Sequence, residues 1–254
     1  MKLTILGCGT SSGVPRIGGD WGDCDPTDPR NRRRRASILV ENEGSRILID
    51  TSPDLREQLL DAGVADIDAV IWTHDHADHV HGIDDLRGLF HRRGSAIPVY
   101  ARPATVAVLR RRFDYVFDGA GGYPPIVEPR KLRDALEIGP ITVRVVDQPH
   151  GAITSAGLRF DAGGRSCAYS TDCNVLTPAM ADLFQGVDLW VVDALRRRPH
   201  PTHPHLAMAL EWIGAVRPGR AILTHMDNSM DYRALLAELP DGVEPGFDGM
   251  EIAL

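Results

Sequence analysis

Between Thr73 and Gly82 the chain reads Thr-His-Asp-His-Ala-Asp-His-Val-His-Gly, which places four potential metal ligands, His74, His76, Asp78 and His79, within six positions. The apolar run Ala69, Val70, Ile71, Trp72 comes directly before them and reads as a buried strand. A strand that ends in ligands is a rigid platform. Side chains alternate along extended backbone, so His74 and His76 point the same way, while Asp78 and His79 open the next turn and can face a second ion. That spacing suits two metals better than one. A polar loop opening a helix, with Asp78 as its cap, is the ordinary reading for one such residue; four in this order weigh against it.

At 254 residues, 43% hydrophobic and 25% charged, the chain can bury one large core or two fused layers, and we expect a single domain over 1–254. The stretch Met1 to Gly7 is strand-like and too short in apolar residues for a signal peptide, and no later run of about 18 apolar residues occurs. These features point to a cytoplasmic protein that does not span a membrane. The cysteines Cys8, Cys24, Cys167 and Cys173 are scattered without a Cys-x-x-Cys pair, which fits reduced thiols rather than a disulfide framework. A net charge of -7 argues against broad nucleic-acid binding but leaves room for a small phosphorylated substrate held by local cations. A homodimer is the common arrangement for soluble enzymes and is compatible with this chain.

Strand and helix signals alternate along the sequence. Lys2 to Leu6 alternates like a strand and enters Gly7-Cys8-Gly9-Thr10-Ser11-Ser12-Gly13-Val14-Pro15, a loop rich in glycine and hydroxyls that lacks the Gly-Lys-Ser/Thr ending of a P-loop. It is either an anion cradle or a tight connection. Ile17 to Arg35 reads as a long loop ending in four arginines. Ser37 to Glu41 and Arg46 to Asp50 form a hairpin around Asn42 to Ser45. Ser52-Pro53-Asp54 predicts a helix running to about Ala62, with Ser52 as its cap. Beyond the histidine motif, helices are expected over Val80 to Leu89 and Pro103 to Phe113, with a strand at Val99 to Ala101 between them. Asp118 to Pro129 looks like a loop or lid. Further strands are expected at Ile141 to Val146, Leu158 to Asp161, Ser166 to Ser170, Leu189 to Asp193 and Ala221 to Leu223. Helices are expected at Pro178 to Phe184, His205 to Val216 and Asp231 to Glu238. Such alternation is the sign of a layered α/β architecture.

Three more candidate ligands stand just past strands. His150 follows Ile141 to Val146 and can complete a three-histidine set with His74 and His76 around one ion. Asp172 follows Ala168-Tyr169-Ser170-Thr171, and a carboxylate can bridge two cations. His225 follows Ala221-Ile222-Leu223-Thr224 and would join Asp78 and His79 on the second ion. Singly, each is equally well a surface histidine, a turn aspartate or a cap. Together and in order they argue for a site.

His-x-His-x-Asp-His after a strand resembles the signature of the metallo-β-lactamase superfamily, whose later motifs are a His, a metal-bridging Asp after a strand and a C-terminal His. The resemblance therefore spans nearly the whole chain. It implies an αββα four-layer sandwich with a two-metal site at one edge of the paired sheets. Leu6-Gly7-x-Gly9-Thr10-x-x-Gly13-Val14-Pro15, Ser170-Thr171-Asp172 and Gly246-Phe247-Asp248-Gly249-Met250-Glu251-Ile252 look like the phosphoribosyl 1,2-cyclic phosphate phosphodiesterases and, more distantly, the ribonuclease Z group. That phosphodiesterase branch carries an additional zinc knot built from three closely spaced cysteines and a late histidine. Here Gly19 to Asp25 offers only Cys24, and Asp227 or Asn228 follows His225, so no structural zinc is expected there.

The resemblance implies a dinuclear metal-dependent hydrolase with two divalent ions per chain, zinc or manganese before iron, acting on a small cyclic phosphate ester. A metal-bridging hydroxide would attack, with Asp78 orienting it. The branch places a catalytic histidine just before a helix at the position of His203, the expected general acid, with His200 and His205 as alternatives and Asp193 as the group that orients the imidazole. Arg32 to Arg35 and Arg196 to Arg198 are either receivers of a substrate phosphate or solvated faces. Competing functions are a ribonuclease Z-like RNA phosphodiesterase, a thioester or lactone hydrolase on the same metals, and a non-catalytic metal-binding relic. The negative charge argues against the first, and the complete ligand set argues against the last.

Overall fold

The computed structural model describes all residues from Met1 to Leu254. Six strands open the chain: β1 (Lys2–Gly7), β2 (Ser37–Asn42), β3 (Ser45–Ile49), β4 (Ala69–Ile71), β5 (Ile97–Ala101) and β6 (Val127–Lys131). They lie side by side in chain order as one sheet. β1 to β3 pair antiparallel, and the turn at Glu43 and Gly44, both at positive φ, closes a two-residue hairpin. From β3 to β6 the pairing is parallel. The second sheet repeats the scheme. β7 (Ala135–Ile138), β8 (Ile141–His150), β9 (Ile153–Ala162) and β10 (Arg165–Ser170) are antiparallel, and β11 (Leu189–Asp193), β12 (Arg220–Thr224) and β13 (Val243–Pro245) continue it in parallel. β14 (Glu251–Ala253) returns to the free edge of β1.

Alternation along the strands builds two apolar layers from the first sheet. Ile38, Val40, Ile47, Ile49, Ala69 and Ile71 face the second sheet, and together they form the larger core. Their neighbours Leu39, Leu48, Val70 and Trp72 face the other way, toward the helices. Those helices are α1 (Leu55–Asp61), α2 (Ala77–Val80), α3 (Leu86–Arg93), α4 (Pro103–Arg112) and α5 (Asp114–Asp118). The outer face of the second sheet is covered by α6 (Pro178–Phe184), α7 (Leu206–Val216) and α8 (Tyr232–Glu238) through Phe184, Ala209, Trp212 and Leu235. The result is the four-layer αββα sandwich. β11, buried along its whole length, is an uninterrupted run, as a parallel strand covered on both faces must be.

Several boundaries differ from the sequence-based expectation. The first helix begins at Leu55, because Ser52 accepts from the Asp54 amide at 3.2 Å and donates to Gln58, holding a turn ahead of the helix. The helix expected over Val80 to Leu89 is broken. Gly82 donates its amide to Thr51 at 2.9 Å and sits where a Cβ would fall 2.0 Å from the Ser52 carbonyl oxygen, so the chain turns there and resumes as α3. Within Asp118 to Pro129 the loop expectation holds over 119–126, which make a short turn from Ala120 to Tyr123, and the segment then enters β6 as an edge strand. The short strands β6, β7, β13 and β14 were not anticipated, nor were α2 and α5. Each is three to five residues long, too short for a period to register.

Candidate active site

In an open α/β sheet the carboxyl ends of parallel strands leave a crevice, and this chain lines it with its titratable residues. β3 leads to Asp50, β4 leads through Thr73 into His74, β10 leads to Asp172, β11 ends in Asp193 and β12 leads to His225. Asp50, Asp172 and His225 each adopt a left-handed backbone, with φ of 64, 55 and 57 degrees. Non-glycine residues enter that region at a cost, and three do so at one edge. The two sheets are tied there, because the Ala156 amide of β9 donates to the Thr73 carbonyl at 2.9 Å.

His74, His76, His150 and Asp172 form one group whose donor atoms all lie within 4.8 Å of one another, and Asp78, His79 and His225 form a second. Asp172 stands between them. Its Oδ1 lies 3.7 Å from His74 Nε2 and 3.6 Å from His150 Nε2, whereas its Oδ2 lies 3.0 Å from His79 Nε2 and 3.6 Å from His225 Nε2. His225 Nε2 is also 3.4 Å from Asp78 Oδ2. His76 presents Nδ1, 3.2 Å from His150 Nε2. The structure thus brings together all seven residues expected as ligands. His76 is exposed and marks the mouth, while the other six are buried. His150 is the last residue of β8 rather than a residue beyond the strand.

Most rings are anchored by the nitrogen that faces away. His79 Nδ1 is 2.7 Å from Asp50 Oδ2, His150 Nδ1 donates to the Thr202 carbonyl at 3.0 Å, and His74 Nδ1 is 3.0 Å from Thr73 Oγ1. Asp50 also accepts from the Thr73 amide at 2.7 Å and from its hydroxyl at 2.8 Å. Asp50 was missed as a site residue. The available signal was an apolar run ending in a carboxylate, the same grammar that singled out Asp172 and Asp193.

The inward nitrogens fit a cation. His74 Nε2 is buried with no hydrogen-bond partner, and His79 Nε2 makes no bond of good geometry despite the nearby Asp172 oxygen. Leaving such atoms unmatched is costly unless something binds them, and a ligand set of imidazoles and carboxylates suits a divalent metal. In the protein alone the charges answer one another. Burial pushes the Asp172 carboxyl up, but His225, His79 and His74 outweigh it and hold the group well below the carboxylate range. Burial likewise lowers His225, and Asp172 and Asp78 reverse it, raising the imidazole to about 9. Burial and the neighbouring His79 keep His74 well below its ordinary value.

His203 stands beside this assembly, its Nε2 3.8 Å from Asp172 Oδ1 and its ring stacked on His225 at 4.9 Å between centroids. Its Nδ1 meets Asp193 Oδ2 at 2.8 Å, and the same oxygen accepts from the Asp172 amide at 2.9 Å. Of the alternatives, His205 stands at the N-cap position of α7 without a side-chain capping bond, and His200 neighbours His203, with 5.1 Å between ring centroids. The four arginines at 32 to 35 have separate duties. Arg32 lies over Trp21, Arg34 pairs with Asp61 and Arg35 pairs with Asp54. Arg33 is buried, bonding the carbonyls of Asp227 and Met230, with Cys24 Sγ 3.8 Å away. All four cysteines are buried and free, and no helix is long and apolar enough to cross a membrane.

The family model of the beta-lactamase superfamily domain matches residues 45–226. A crystal structure described as a new diphosphatase from the PhnP family is 36% identical, covers 99% of this chain and 96% of its own, and superposes with a TM-score of 0.91. An octanoyltransferase of Porphyromonas gingivalis is 32% identical over 259 residues, which is 99% of this chain and 51% of that protein. A ribonuclease Z of a Bradyrhizobium species is 31% identical over 142 residues, 54% of this chain and 47% of that enzyme. The chain thus matches about half the length of these two curated relatives.

Proposed function

Since this chain belongs to the metallo-β-lactamase superfamily, as a hydrolase of its PhnP family, we propose that its 254 residues act as one domain that hydrolyses a small cyclic phosphodiester. The nearest precedent in kind is 5-phosphoribosyl 1,2-cyclic phosphate. The observation that carries this reading is Asp172, whose two oxygens face two separate ligand groups with His203 alongside. His74, His76 and His150 would hold one divalent ion and Asp78, His79 and His225 the other, with Asp172 shared. Zinc or manganese is the first choice for such nitrogen and oxygen donors, then iron. When bound, two such ions supply Lewis acidity toward a phosphate and bring the pKa of water toward neutrality.

The protein's own groups do the rest. Asp78 Oδ2 lies 3.4 Å from His225 Nε2 and 3.6 Å from His79 Nε2, where a carboxylate can orient an attacking water. His203, with Nδ1 fixed by Asp193, has Nε2 free to hand a proton to the departing alkoxide. Burial of the histidines excludes bulk water, which strengthens each of these interactions. The Arg32 to Arg35 run is engaged elsewhere in the fold and offers no extended basic face, which favours a small substrate over RNA.

Phosphorus-31 NMR of the metal-loaded protein with 5-phosphoribosyl 1,2-cyclic phosphate, beside a 2′,3′-cyclic nucleotide, tests the reading. Ring opening of the first compound, faster than of the second, is expected. Failure to turn over any diester with two metals bound would move the search to thioesters and lactones.

A further inference from the structure

Asp172 aims its carboxylate at both ligand groups from a turn with φ of 55 degrees, and a chain of buried hydrogen bonds holds that turn. Gln148, Ser155 and Ser170 are all buried. Ser170 donates its hydroxyl to Gln148 Oε1 at 2.6 Å. Gln148 Nε2 donates to Ser155 Oγ and to the Thr171 carbonyl, both at 3.0 Å. Ser155 donates in turn to the Asp172 carbonyl at 2.8 Å, nearer than the Thr171 carbonyl at 3.2 Å. A carbonyl only accepts, so the single Ser155 proton lies toward Asp172 and its oxygen is left to take the Gln148 amide, which fixes the direction of every bond. The neighbouring strand leaves space for this amide: a Cβ at Gly157 would fall 2.5 Å from Gln148 Oε1.

Burying an amide and two hydroxyls costs stability unless each is matched, and these are matched chiefly to the turn. A non-glycine residue in a left-handed conformation persists only where its surroundings hold it, and Asp172 is held at three points. Asp193 takes its amide, Ser155 bonds its carbonyl, and the Thr171 hydroxyl donates to Oδ2 at 2.6 Å. The same chain gathers the other ligands of the first ion. Gln148 lies two residues before His150 on β8, so the two share a face of the sheet. Ser155 of β9 pairs with Gln148, and the next amide, that of Ala156, bonds the carbonyl just before His74.

We infer that Gln148 and Ser155 are positioning residues of the metal centre: by fixing the Thr171 and Asp172 carbonyls they set how far apart the two ions sit. This rests on Asp172 being shared by two ions, the observation behind the proposed reaction. Their bonds go to backbone carbonyls and to each other, so both act through the turn. Ion separation decides whether both cations act on one phosphate. Loosening the turn moves one carboxylate that serves both ions, so both weaken together, whereas losing a terminal ligand such as His76 weighs on the ion it binds.

Ser155→Ala and Gln148→Met each remove bonds to the turn without adding charge, and Ser170→Ala deletes an equally buried oxygen while leaving those bonds in place. All three and the wild type are loaded with Mn²⁺, counted for metal, and compared by electron paramagnetic resonance, in which two ions sharing a carboxylate give a spin-coupled signal unlike that of separate ions. The wild type and Ser170→Ala should show the coupled signal. Ser155→Ala and Gln148→Met should bind both ions about tenfold more weakly by chelator competition, with the coupled signal reduced in favour of separate ions. Ser155→Ala, the smaller deletion, decides alone if Gln148→Met does not fold. Coupling and affinities unchanged in the variants that cut the turn would overturn the positioning role, and so would an equal loss in Ser170→Ala, which would assign the effect to packing. Two bound ions without coupling in the wild type would instead reject Asp172 as the shared ligand, and with it the two-metal basis of the proposed reaction.

Discussion

Asp50 Oδ2 lies 2.7 Å from His79 Nδ1, and both side chains are fully buried. The carboxylate fixes the ring so that Nε2 points at Asp172, and it favours the tautomer whose inward nitrogen carries a lone pair when a cation is present. Asp50 bonds no other candidate ligand directly, but it also holds Thr73, whose hydroxyl lies 3.0 Å from His74 Nδ1. Asp50→Ala is expected to weaken the second metal, whose ligand His79 it bonds directly, by about 10 to 100-fold, and the first, reached through Thr73 and His74, by less. Chelator competition with stepwise metal counting reads this directly. Two ions held as tightly as in the wild type would show that the ring is oriented by packing.

Asp193 has a double attachment, to His203 Nδ1 and to the Asp172 amide. His203→Ala should therefore lower kcat by about 10² to 10⁴ with both metals retained, the usual range for losing a general acid. Asp193→Ala should lower kcat and also weaken metal binding, because the turn that aims Asp172 loses its acceptor. Parallel measurement of kcat and metal content distinguishes the two. Loss of metal in His203→Ala would make that histidine a ligand instead of an acid.

His74, Asp172, Asp193 and His225 were readable from sequence because each ends or follows an apolar run, and a parallel sheet collects strand ends at one edge, whereas His203 was expected from the resemblance. The alternation pointed to a layered α/β architecture, and the four-layer αββα arrangement was what the resemblance carried by the histidine motif implied. Asp50 escaped because it reaches the site through another residue, and no spacing rule links a carboxylate to a histidine 29 positions away. The arginine run gave a misleading picture for a similar reason. Four consecutive cations look like one surface, but extended backbone sends alternate side chains to opposite sides, and Arg33 goes inward.

Arg33 binds the carbonyls of Asp227 at 3.3 Å and Met230 at 2.6 Å, and Asn31 Oδ1 at 3.3 Å, without a carboxylate partner. It cross-braces the early loop against the segment after His225. Arg33→Met would fill similar volume but strand these acceptors, and a cost of about 2 to 4 kcal/mol is expected. Arg33→Lys should recover little, because one ammonium cannot span three diverging acceptors. Urea midpoints of the two variants against the wild type provide the check. A midpoint for Arg33→Met at or above the wild-type value would mean that the desolvation of the guanidinium outweighs its bonds.

Asp28 gives the fold a pH dependence whose sign can be worked out. Arg30 engages both carboxylate oxygens, at 2.9 and 2.7 Å, and Arg233 adds a third contact at 2.9 Å. Arg30 is the main reason that the group titrates well below its ordinary value, with Arg233 assisting against the opposing effect of burial. A depressed carboxylate favours the folded state above its unfolded pKa of about 3.9, and that contribution is lost as pH falls toward the folded value. The side chain is shielded while both arginines remain open to water, so about 1 kcal/mol is expected. Asparagine keeps the capping oxygen that accepts from the Arg30 amide, which isolates the charge. Asp28→Asn should then be less stable than the wild type by about 1 kcal/mol at pH 7, with the gap closing below about pH 4. Urea titrations at pH 7, 5 and 3.5 measure it, and a gap that stays constant across that range would assign the effect to shape rather than charge.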